Sequence, residues 1–207
     1  MTGAPAADLP GLVAARICHD LAGPLGAIGN ALELAGRLGG PGAEDQALLA
    51  ESAAAAAARL SLYRLAFAAA SGGQMVRGAE LGIRLVGALA GPRLALSHAL
   101  PERLARAEAR VIALAALCLL HALPKGGEIA VAAGGGVWRV QARGPVCALD
   151  EALRVALAGG CVAETARPAT VEFALLPGAL RAIGRAAGVE EAPGAMTLHL
   201  SRIPDGA

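Results

Sequence analysis

Ile17, Leu21, Leu25, Ile28 and Leu32 recur at steps of three and four. On a helix that spacing makes one apolar stripe, and it predicts a helix over about Leu9–Leu38. Asp8, just ahead of Pro10 and the apolar run, stands where a cap is expected. The run GGPG at 39–42 breaks the helix. Its shortness requires the next helix to return antiparallel. That second helix is predicted over about Ala43–Ala70. Its residues Leu49, Ala53, Ala56, Leu60, Tyr63, Phe67 and Ala70 are spaced 4, 3, 4, 3, 4, 3, a heptad seam. Two helices cannot bury such stripes on each other alone. Pairing of the hairpin with a second copy would make a four-helix bundle, and this homodimer is the preferred reading. The alternative is that the seam packs on the chain's own second part.

Ser71-Gly72-Gly73 closes the hairpin and divides the chain into residues 1–72 and 73–207. Residues 1–8 read as a loosely attached lead. Beyond the boundary both periods occur. Residues 77–90 read as a helix, 93–99 as a strand, and Glu102 to Leu123 as a long helix buried over Val111–Leu120. EIAVAA at 128–133 and VWRVQAR at 137–143, joined at Gly134–Gly136, read as a hairpin. A helix near Leu149–Ala158 follows. Another spans about Ala169 to Ala187, interrupted at Pro177-Gly178 or starting again there. Val189–Glu191 and Met196–Arg202 read as closing strands. The fold class is therefore α+β, a helical hairpin followed by an α/β sandwich.

Composition narrows the function classes. The 207 residues carry a formal net charge of +1, with 17% charged residues, so bulk electrostatics give no case for nucleic-acid binding. Lys125 is the only lysine. Mean hydropathy is +0.55, largely from alanine. No stretch of about 18 residues is both strongly apolar and uncharged, which speaks against a membrane span. The start, MTGAPAADLPGL, lacks the basic and apolar regions of a signal peptide. Cys18, Cys118, Cys147 and Cys161 form no C-x-x-C pair, and a reduced, cytoplasmic setting suits them. His98, His121 and His199 stand alone in sequence, so no metal site is expected.

The chemistry is expected in RICHDLAGPLGAIGN at 16–30. His19 lies off the apolar stripe. At about 100° per residue, Arg16, Gly23, Gly26 and Asn30 fall on its side of the helix. That face offers an imidazole, a guanidinium, an amide and two residues without side chains. Pro24 has no N–H for the carbonyl of Asp20 and should kink the helix beside His19. A helix made only for packing has no use for such a face. The plain alternative is an ordinary surface histidine near a tolerated proline.

HDLAGPLGAIGNALEL resembles the phosphoacceptor helix of the alphaproteobacterial histidine phosphotransferases of the ChpT type. More distantly it is similar to the H-box of sensor histidine kinases. His19, Asp20, Leu21, Pro24 and Leu25 match the H-[DE]-L-x-x-P-L pattern position for position. The resemblance implies that His19 accepts and donates a phosphoryl group and that Asp20 orients or polarises the ring. The helix face itself adds Arg16 to neutralise phosphoryl charge, with a solvated surface arginine as the alternative, Asn30 to bond a partner or else to cap a surface turn, and Gly23 and Gly26 to keep the surface low for a partner's approach. The resemblance further implies as partners the receiver domains of a hybrid histidine kinase and of response regulators.

The second part resembles the ATP-binding domain of histidine kinases without its nucleotide site. ALPKGGEIAV at 122–131 looks like the turn and strand after that domain's asparagine helix. Counting back from Pro124, the kinase asparagine positions fall on Leu114 and Cys118, neither an oxygen ligand for magnesium. Ala142 stands where kinases read adenine with an Asp. No ATP and no other cofactor is expected on this chain, Mg²⁺ being carried by the partner receiver domain. The expected function is a histidine phosphotransferase relaying phosphate between receiver aspartates. The alternative is a non-catalytic dimeric module that binds receivers without being phosphorylated.

Overall fold

A computed structural model describes residues 8–38, 40, 42–69, 73–134, 136–159 and 166–203. The lead at 1–7, part of the GGPG turn, the boundary at 70–72, Gly135 and Cys161 lie outside these residues.

Helix α1 is Leu9–Leu38 and α2 is Ala43–Ala66. They pack as an antiparallel hairpin. Asp8 caps α1, its carboxylate accepting from the amide of Gly11 at 3.0 Å. Helix α2 ends four residues before the expected Ala70. Its last carbonyls have partners from elsewhere in the chain: Arg110 Nε donates to the Ala66 carbonyl at 3.0 Å and Arg106 Nη2 to that of Arg64 at 3.3 Å.

Strand β1 (Met75–Arg77) pairs antiparallel with β3 (Arg103–Ala105), setting buried Val76 beside buried Leu104. Between them lie α3 (Gly78–Leu89) and β2 (Leu94–Ala99). The expected long helix from Glu102 therefore begins only at Arg106, as α4 (Arg106–Leu120). Glu108 caps its start by accepting from the Ala105 amide at 3.1 Å. Every residue from Val111 to Leu119 is buried, as in a helix enclosed on all sides. Strands β4 (Gly127–Gly134) and β5 (Val137–Arg143) follow, then α5 (Glu151–Leu157). A 3-10 turn at Pro168–Thr170 leads into α6 (Val171–Arg181), which continues through Pro177 instead of breaking there. Strands β6 (Arg185–Ala192) and β7 (Ala195–Arg202) close the described chain.

The main sheet runs β2-β4-β5-β7-β6, with β2 and β4 parallel and the other pairs antiparallel. Ile129, Val131, Trp138, Val140, Ala142, Met196, Leu198 and Leu200 form its buried face. Helices α4 and α6 pack together, with α4 also against β4 and β5. At the turn into β4, Gly127 has φ +149°, and a Cβ there would lie 2.1 Å from the Arg143 carbonyl oxygen.

The helical stripes divide in a way their spacing does not show. Tyr63 and Phe67, read as seam positions, pack into the chain's own core with Leu62, Leu65 and Ala66. Leu60 stays 41% exposed, and Ala53 is exposed too. On α1, Leu25 and Leu32 are 56% and 55% exposed, while Ala31 and Ala35 are buried. Close approach of the two helices selects the small residues for their contact and leaves the leucines outside it.

Candidate functional site

His19 sits in mid-α1 with its side chain 83% exposed. Its Nδ1 lies 2.9 Å from Asp20 Oδ1. Adjacent helical side chains normally diverge, yet this pair meets because Asp20 is pinned from the far side. The Tyr63 hydroxyl of α2 donates to Asp20 Oδ2, and Arg16 Nε lies 2.8 Å from the same oxygen. The Asp20 side chain is mostly covered. Burial alone would raise its carboxyl; the Tyr63 hydroxyl, His19 and Arg16 outweigh burial and hold it below the ordinary carboxylate range.

Pro24 has a second effect here. Lacking an N–H, it leaves the Asp20 backbone carbonyl without its i+4 donor. Arg59 Nη1 of α2 donates to that carbonyl at 3.1 Å. The proline thus opens a bonding position through which α2 grips α1 one residue after His19.

Arg16 does not take the open position expected for it. Its side chain is only 11% exposed, and besides Asp20 it reaches the Ala169 carbonyl in the 3-10 turn. A long side chain beside a carboxylate at i+4 folds onto it and onto whatever covers it. Burial by itself would lower the Arg16 guanidinium; Glu172, Tyr63 and Asp20 raise it. Glu172 is fully buried on α6, with Oε1 2.6 Å from His121 Nε2. Gly23, Gly26 and Asn30 are all exposed. A Cβ added at Gly23, Gly26 or Gly29 would meet nothing within 4 Å.

The arrangement fixes the ring's chemistry. An ionised Asp20 beside Nδ1 requires that nitrogen to be the donor. In the neutral ring the lone pair then sits on Nε2, away from the carboxylate and on an exposed side chain. Such a nitrogen is suited to nucleophilic attack on an electrophile brought by a partner. Sequence reasoning missed Tyr63 as a site residue and missed Arg59 altogether. Their spacing of four across an antiparallel hairpin from Asp20 was the available signal, but the heptad seam had already absorbed Tyr63.

The positions compared with kinase asparagines lie elsewhere. Leu114 and Cys118 are fully buried on α4, and Ala142 is fully buried on β5. Burial, with Glu172 nearby, pushes the Cys118 thiol well up.

The sequence model of the histidine phosphotransferase C-terminal domain matches residues 83–194, more than half of the chain. The chain belongs to that family. In this histidine phosphotransferase family member the match runs from within α3 through β6 and leaves out α1, α2, β1 and β7. A 65-residue stretch is 49% identical to protein phosphotransferase ChpT of Brucella abortus (strain 2308), spanning 31% of each chain. A solved bacterial phosphotransferase shares the fold with a TM-score of 0.79 over 94% of this chain and 96% of that one, at 22% identity. Among the described residues, no helix is long and apolar enough to cross a membrane.

The chain's single tyrosine makes the Asp20 contact measurable. Burial, and then the Asp20 carboxylate it bonds, push the Tyr63 hydroxyl up to about 12. The folded value lies above the ordinary value of about 10. This group therefore adds stability that is full below about pH 10 and is lost as pH rises through about 12. Tyrosinate absorbance should titrate near that upper value in the wild type and lower in Asp20→Asn. An ordinary midpoint in the wild type would mean that Tyr63 does not bond Asp20.

Proposed function

We propose that this chain is a phosphorelay histidine phosphotransferase in which His19 carries the phosphoryl group between receiver-domain aspartates. The observation that carries the reading is the exposed imidazole whose Nδ1 is held by a fastened carboxylate. In the transfer, the Nε2 lone pair attacks phosphorus of a receiver's aspartyl phosphate. An N–P bond forms, the acyl-phosphate P–O bond breaks, and the aspartate leaves with the electron pair. Nδ1–H stays on the ring, and Asp20 balances the charge of the phosphorylated imidazole. Attack by a second receiver's aspartate reverses these steps. In-line positioning and charge neutralisation do most of this work, with Mg²⁺ brought by the receiver. Asp20 is the orienting residue; Tyr63, Arg16 and Arg59 hold it and its turn of helix.

The partners that go with this reading are the receivers of a hybrid histidine kinase and of response regulators, in the cytoplasm, with neither nucleic acid nor ATP involved. Incubation with a phosphorylated receiver tests it. Acid-labile label on this chain supports relay; receiver binding without label would assign the non-catalytic role instead.

Gly23 and Gly26 keep the surface beside His19 low, so that a receiver's loops reach transfer distance. Each glycine inside a helix costs about 0.5–1 kcal/mol relative to alanine. Gly26→Ala should therefore stabilise the fold by about 0.4–1 kcal/mol in thermal denaturation. Gly26→Leu should also remain folded, because Gly26 is exposed and a Cβ there meets nothing within 4 Å. It should nevertheless slow transfer sharply. A wild-type transfer rate in Gly26→Leu would move the docking face elsewhere.

A second copy of the chain is proposed to cover the exposed leucines of the hairpin, Leu25 and Leu32 on α1 and Leu60 on α2. Leu60→Arg is a clean test because the side chain is already part exposed within one protomer. Its effect on protomer stability should be within about ±0.5 kcal/mol. In a dimer the same charge is buried without a partner and should dissociate the pair. Light scattering should give a dimer for the wild type and a folded monomer for Leu60→Arg; an unchanged mass would place the interface off this face.

A further inference from the structure

A cleft of about 400 Å³ opens where the end of α2 meets β1, α3 and the start of α4. Arg64, Arg84 and Arg106 line it, with Ser61, Gln74 and Glu80. Glu80 is engaged by Arg84 at 2.6 Å. Among the described residues, no carboxylate pairs with Arg64 or Arg106. Arg106 Nη2 reaches only the Arg64 carbonyl, at 3.3 Å, and its Nη1 is buried with no hydrogen-bond partner. One helical turn further on, burial and the Arg106 charge hold Arg110 below the ordinary guanidinium range. Positive charge is thus crowded at this corner, and among the described residues Glu80 is the only carboxylate lining the cleft.

We infer that this cleft is a binding site for a small phosphate-bearing anion, held between Arg64 and Arg106. A phosphate group supplies several acceptor oxygens and up to two negative charges, matching the guanidinium groups of Arg64 and Arg106 that line the cleft without a carboxylate partner. The Ser61 hydroxyl and the Gln74 amide add neutral donors at the wall. The cleft is too polar for an apolar ligand, and the charge that faces it is of one sign apart from the engaged Glu80. The inference does not depend on the reading of His19: the lining residues come from α2, β1, α3 and α4, and none of them touches the imidazole.

Titration of the full chain with inorganic phosphate, and separately with a simple alkyl phosphate monoester, tests the assignment at constant ionic strength. Backbone amide shifts at Ser61, Gln74 and Arg106 should move saturably with at least one of them. Binding of both would show that the phosphate group alone is read. Binding of the monoester alone would show that the site also reads the ester carbon chain. Arg64→Gln, at an exposed position that should not disturb the fold, should weaken binding roughly tenfold or more, as should Arg106→Gln. Arg139→Gln on β5 should leave it unchanged. No saturable shift with either probe, shifts confined to Arg16–Asp20, or wild-type affinity in Arg64→Gln would overturn the inference.

Discussion

His19→Gln should abolish phosphoryl transfer and leave the fold untouched. The imidazole is 83% exposed, so its loss should change stability by no more than about 0.5 kcal/mol. Glutamine can still hydrogen-bond Asp20 through its amide, so the Asp20 contacts to Tyr63 and Arg16 should persist. Glutamine offers no ring nitrogen with a free lone pair, and so removes the nucleophile on which the proposed relay depends. Loss of a nucleophile costs roughly 10³-fold or more in rate. Label taken from a phosphorylated receiver should therefore fall below detection, while circular dichroism and the melting temperature match wild type. Equal labelling of both proteins would place the acceptor on another residue.

The fold class was legible because long periodic segments carry their own evidence. Helix α1 keeps the expected bounds, Leu9–Leu38. The strands around Ile129 and Val140 alternate as paired, half-buried strands must, whereas β7 buries Met196, Thr197 and Leu198 in succession. What sequence reasoning missed depends on tertiary contact. Strands β1 and β3 have three residues each, too few to show a period. They form because Val76 and Leu104 are buried beside each other. The end of α2 is set by Arg106 and Arg110 reaching across from α4, which no local signal announces. Pro177 looked like a helix break, yet α6 passes through it.

The candidate site divides in the same way. The exposure of His19, Gly23, Gly26 and Asn30 follows from helical phase alone. The inward turn of Arg16 does not, because it depends on Asp20 four residues on and on the Ala169 carbonyl brought over from the second part of the chain. Pro24 shows how close the two levels are. The sequence reveals a carbonyl without its donor, and only the packed hairpin reveals that Arg59 supplies one.

Leu114→Asn should destabilise the protein strongly without creating a nucleotide site. The substitution installs the residue that kinases carry at the compared position. Leu114 is fully buried on α4, and Cys118, one turn on, is equally enclosed. Both side chains belong to the hydrophobic core shared by the helices and the sheet. Removing the leucine forfeits about 2–3 kcal/mol of apolar burial. The carboxamide then loses water on every side, and an unpaired buried amide costs a further 1–3 kcal/mol or so. A total of about 3–6 kcal/mol is a large share of the stability of a typical domain. It should lower the melting temperature by about 6–24 °C in a chain of this size. Neither the wild type nor the variant should bind Mg·ATP in calorimetry, because the new amide faces core side chains and Ala142 offers no carboxylate for adenine. A variant as stable as wild type would mean that position 114 opens onto solvent, and micromolar Mg·ATP binding by either protein would refute the absence of a nucleotide site.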